Sequence, residues 1–122
     1  MWNRISVGIA AMLATEVCGV AMAAAEYKIV TASEKGTYYA IGQDLSKHVA
    51  PAADINLEVL ATSGSAANIK ALRYDAGVKF AVVQADVYQA FIDRAAGGST
   101  EAASIIRPLR VILPLYNTEI HY

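Results

Sequence analysis

Extended apolar runs alternate with helical patterns along this chain, and that alternation constrains its fold more than any other feature. Tyr27-Lys28-Ile29-Val30-Thr31-Ala32 continues the extended run of residues 26–32, apolar on both faces at Ile29 and Val30. It feeds a polar loop, Ser33-Glu34-Lys35-Gly36. The loop opens a helical pattern over 37–49, with Tyr38, Ile41, Leu45 and Val49 on one face and Pro51 as its stop. The order then repeats. Ile55, Leu57 and Val59 alternate along a second strand, 55–60. Thr62-Ser63-Gly64-Ser65 opens a second helix, 65–74, with Ile69 and Leu72 inward. Asp75-Ala76-Gly77 turns into a third strand, 78–83. A third helix, 85–95, carries Val87, Tyr88 and Phe91 to the core. Gly97-Gly98-Ser99-Thr100 reads as a flexible loop, 109–116 as a fourth strand and 118–122 as the start of another. Pro114 implies an edge, bulge or bend.

Strands separated by helices imply βαβ crossovers. The fold class is therefore α/β, a mostly parallel sheet with helices on both faces. Ligands of such sheets bind beyond the carboxyl ends of the strands. Three loops fall there, 33–36, 62–65 and 84–86; the first two open helices whose first amides and dipole favour an anion, and in the third Gln84 can both donate and accept. On this reading Gly36, Thr37, Tyr38 and Tyr39, Ser63, Gly64 and Ser65, the amide of Asn68, and Gln84 line one wall of a site for a small anionic ligand. Plainer roles stay open: Thr37, Ser65 and Asp86 can cap their helices, and Tyr38 can pack.

Composition narrows the function. The chain has 122 residues, enough for one modest domain or a piece of one. It is 56% hydrophobic and 17% charged, so it folds rather than staying disordered. A net charge of −1 with scattered Lys and Arg excludes the basic footprint of a nucleic-acid binder. His48 and His121 are too far apart in sequence to suggest a metal site or a catalytic pair. No Lys-Ser/Thr pair follows Gly36 as a Walker loop requires, and Ser33, Ser63 and Ser65 lack a nucleophile elbow. No cofactor or metal is expected.

The first residues read as a targeting segment. Arg4 supplies the positive end, residues 5–14 an apolar stretch of about ten, and Ala21-Met22-Ala23 or Ala23-Ala24-Ala25 a small-x-small cleavage site. Residues 1–25 are expected to be a signal peptide directing the chain to the periplasm. Cys18, the only cysteine, lies within it, so residues 26–122 hold no thiol, disulfide or thiolate metal site.

Three stretches in order carry a resemblance: Gly36-Thr37-Tyr38-Tyr39-Ala40-Ile41-Gly42, Ala61-Thr62-Ser63-Gly64-Ser65-Ala66-Ala67-Asn68, and Phe80-Ala81-Val82-Val83-Gln84-Ala85-Asp86-Val87. They resemble the TAXI-type solute-binding proteins of TRAP transporters. Leu109-Arg110-Val111-Ile112-Leu113-Pro114-Leu115-Tyr116 looks like that family's strand approaching the interlobe hinge. The resemblance implies a two-lobed, non-enzymatic periplasmic binding protein of type II. Such a protein captures a small solute, often a dicarboxylate or acidic amino acid, for a membrane permease driven by an ion gradient. It also implies that the first loop, the Ser63-Gly64-Ser65 turn and Gln84 line the cleft. The family usually has Gly where Ser33 and Glu34 stand, and often Pro at Ala40. Its members run to roughly twice this length or more. Residues 26–122 are thus expected to be part of the first lobe, binding weakly or not at all without the second. Two other readings compete: a remnant without function, and a small α/β enzyme using Glu34 or Asp86 on an anionic substrate.

Overall fold

A computed structural model describes residue 19 and residues 22–117. The expected signal peptide, apart from those few positions, and the expected strand 118–122 lie outside the described residues. Three strands, β1 (Ala25–Val30), β2 (Ile55–Leu60) and β3 (Val78–Ala81), form a parallel sheet in the order β2-β1-β3. Around it lie α1 (Thr37–Asp44), α2 (Ser65–Tyr74), α3 (Ala85–Ala96) and α4 (Thr100–Ile106). The fold is α/β, as the alternation required.

Strand order decides where the helices go. The first crossover moves from β1 outward to β2, and the second returns past β1 to β3. Two right-handed crossovers in opposite directions put their helices on opposite faces. The packing follows. Ile29, Leu57 and Val82 form one core layer with Tyr38 and Leu45, from α1 and the turn after it. Val30 and Val78 form another with Ala71 and Leu72 of α2.

The two layers meet through an irregularity in β3. Val78, Phe80 and Val82 alternate in sequence and would all face one way. In the structure Lys28 pairs with Val78 but Ile29 pairs with Phe80, so Lys79 is an extra residue. This bulge turns Val78 toward α2 and Phe80 toward α1. Phe80 then meets Tyr27 edge-on, with ring centroids 6.1 Å apart.

Three expectations need correction. The first helix does not run unbroken from 37 to 49. After Asp44 the backbone widens into a π turn over Leu45–Val49 and tightens into a 3₁₀ turn over Ala50–Ala53, which accepts Pro51 at its start. Val49 consequently leaves the apolar face and is 57% exposed. The supposed loop at 97–100 is only a turn at Gly97 and Gly98. Ser99 caps α4 by accepting from the Ala102 N–H over 3.2 Å, and α4 buries Ile105 with Ile69 and Phe91. Finally, residues 109–117 form no strand. They find no partner ladder among the described residues and Pro114 has no N–H to give, so Val111, Ile112 and Leu113 stay exposed.

Candidate functional site

The reversal of crossover direction makes the carboxyl ends of β1 and β3 a topological switch point, where the following chains part to opposite faces and leave a crevice. The three βα junctions meet there, joined by hydrogen bonds. Thr62, past the end of β2, donates from its N–H to the Ala32 carbonyl over 3.1 Å, and its Oγ1 lies 3.2 Å from the Thr31 carbonyl oxygen. The Gln84 N–H, past the end of β3, donates to Oγ of Ser65 over 2.9 Å. The structure thus gathers the starts of α1, α2 and α3 at one edge of the sheet.

The residues that begin these helices are not those expected to cap them. The N-cap positions fall on Gly36, Gly64 and Gln84, and none supplies a side-chain cap. Thr37 and Ser65 are instead the first helical residues of α1 and α2. Asp86 lies inside α3, its carboxylate accepting from the Val87 N–H over 2.8 Å. In contrast α4, which starts elsewhere, carries the Ser99 cap. The starts of α1 and α2 therefore lack an N-cap side chain, the arrangement that suits an anion or water, whereas at the start of α3 the Asp86 carboxylate already takes one first-turn amide.

Gly64 allows the second junction to form. Its φ of 130° is unfavourable for any residue with a Cβ, and it lets the Gly64 N–H reach Oγ1 of Thr62 at 3.2 Å. Gly42 serves the first. A Cβ there would stand 2.8 Å from Cγ2 of Thr31 and 2.9 Å from Cγ1 of Val59, so only glycine lets α1 lie this close to the sheet.

The nominated residues divide into three groups. Thr37, Ser63 and Gln84 are exposed at the crevice, with Gly36, Tyr38, Tyr39 and Gly64 half-buried beside them. Ser65 is buried, its oxygen engaged by Gln84. Asn68 is fully buried beneath the crevice. Its amide donates to the carbonyls of Thr31 and Val82, and its oxygen accepts from Thr62, so both amide hydrogens are spent on protein.

A cavity of about 740 Å³ opens beside this edge, on the unpaired side of β3. It takes in Tyr38 and residues 81–86 on one side and residues 109–117 on the other. Its lining does not include Ser63, Gly64 or Ser65. Tyr116 closes one end, its ring edge-on to Tyr38 with centroids 6.5 Å apart. The sequence pattern of residues 109–116 reads as a strand and gives no hint of this wall. Among the described residues no group of His, Cys, Asp or Glu is arranged to hold a metal ion.

Residues 29–122 match the NMT1-like family. No curated protein and no solved structure matches the chain. The match takes in the end of β1, all of β2 and β3, the four helices described and every nominated residue, and the family is one of binding proteins rather than enzymes. The chain belongs to the NMT1-like family, whose members are periplasmic-binding-protein-like.

Proposed function

We propose that residues 26–122 are part of the first lobe of a type II solute-binding protein of the TAXI kind, exported to the periplasm by a signal peptide at residues 1–25. Its solute is a small anion, a dicarboxylate or an acidic amino acid, and its partner is the membrane permease of a TRAP-type importer. The observation that carries this reading is the meeting of three helix starts without side-chain caps at one sheet edge. The amides at the starts of α1 and α2 provide a partial positive charge that needs no Lys or Arg. Gly36, Thr37, Tyr38 and Tyr39 present the first start, Ser63, Gly64 and Ser65 the second, and Gln84 the third.

A clamshell buries most of its ligand between two walls. This wall alone leaves the anion hydrated and its contacts screened by salt. Calorimetry of the 122-residue chain with succinate and with glutamate tests the reading. A dissociation constant of about 1 mM is expected for at least one of them. Binding tighter than about 10 μM would contradict the need for a second wall, and an equal response to a neutral diamide would contradict the anionic solute.

A further inference from the structure

We propose that Asn68 is the positioning residue of this site. Its carboxamide locks the ends of β1 and β3 together and, with Ser65 one turn earlier on α2, holds the three βα junctions as one body. The inference deepens the solute-binding reading and rests on it for its functional meaning.

The sheet's own hydrogen bonds run out where the crevice begins. The Val82 N–H donates to the Val30 carbonyl over 3.0 Å, and beyond it β1 and β3 part. The next carbonyls, of Thr31 and Val82, would be left inside the protein without a strand partner. Asn68 meets both, donating one amide hydrogen to each, at 2.8 Å for Val82. Its own oxygen accepts from Oγ1 of Thr62 over 2.6 Å. The carboxamide thus continues the sheet's bonding across the gap and ties in β2 as well.

The chemistry selects this side chain. Two acceptors and one donor face it in a space where its exposure is 0%. A primary amide offers two donors and an acceptor in one plane. A leucine of similar size would leave the Val82 carbonyl without its donor and the Thr31 carbonyl with only the Thr62 hydroxyl, 3.2 Å away. An aspartate would set a carboxylate against two carbonyl oxygens. With Asn68 in place, the Gln84 N–H is held against Ser65 and the starts of α2 and α3 keep a fixed spacing, which preorganised amides require to act on one ligand.

Amide exchange followed by NMR on the ligand-free 122-residue chain tests this. In the wild type, the Asn68 side-chain protons are expected to exchange at least about tenfold more slowly than those of Asn56, which is exposed and donates to Glu26. Thr62→Val removes the hydroxyl from Asn68, and with it the acceptor of the Gly64 N–H, without touching Gln84; a Gly64 amide that exchanges no faster than in the wild type separates the two effects. The variant is expected to speed exchange of the Gln84 backbone amide about tenfold relative to that of Ile69, and Thr62→Ser to restore it. Side-chain protons of Asn68 as fast as those of Asn56, or a Gln84 amide that changes only in step with Ile69, would overturn the proposal. If Thr62→Val does not fold, the wild-type comparison decides. No ligand is present, so failure here leaves solute binding standing, and failure of the succinate titration leaves this latch standing.

Discussion

The backbone N–H of Gln84 donates to Oγ of Ser65 across 2.9 Å, and this single bond joins the start of α3 to the start of α2. Ser65→Ala removes the acceptor from a part-buried amide. It is expected to lower the unfolding free energy by about 1 kcal/mol, read as a lower urea midpoint with an unchanged slope. An unchanged midpoint would mean that solvent satisfies the Gln84 amide equally well.

Two glycines near the site are expected to resist alanine for different reasons. Gly42→Ala drives a methyl into Thr31 and Val59 and should cost about 1–3 kcal/mol through overpacking. Gly64→Ala meets nothing within 4 Å, so its cost comes from the backbone alone, about 1–2 kcal/mol at a φ of 130°. Adding Val59→Ala should recover part of the first loss and none of the second, which a double-mutant cycle in urea would measure.

Ile105 gives α4 its place in the core. It is 1% exposed and packs with Ile69 and Phe91. Ile105→Ala is expected to cost about 2–5 kcal/mol by thermal or urea unfolding. A loss under 1 kcal/mol would show that α4 docks only loosely on α2 and α3.

That helix also shows what the sequence made legible and what it hid. β2 and α2 keep the bounds that alternation and periodicity assign them, because their apolar spacing matches the face they bury. α4 was lost because Gly97-Gly98 dominates the local pattern and the helix is short. Only the Ser99 cap and the spacing of Ala102 and Ile105 mark it, and those acquire meaning once α2 and α3 supply a groove. The bulge at Lys79 was hidden for a similar reason, since faces are assigned by neighbouring strands rather than by alternation. At the site, the three junctions were visible as loop chemistry at strand ends. The division of labour was not. Asn68 read as one more polar group at a helix start, and only the carbonyls of Thr31 and Val82, distant in sequence, show it turned inward.

Export gives a separate test. A signal peptide at residues 1–25 predicts that the chain expressed in a Gram-negative host is recovered from the periplasm with its N-terminus near Ala24 to Glu26, measured by mass spectrometry of the osmotic-shock fraction. Full-length chain retained in the membrane fraction would replace the signal peptide with an anchor.

The central claim is that helix-start amides at one sheet edge share an anionic guest, and an NMR titration that follows every backbone amide tests it most directly. Succinate added to the 122-residue chain is predicted to shift the amides of Thr37, Ser63, Ser65 and Gln84 together, with one common dissociation constant of about 1 mM, while neutral succinamide leaves them in place. Shifts scattered over the surface, or equal for the two compounds, would contradict the account.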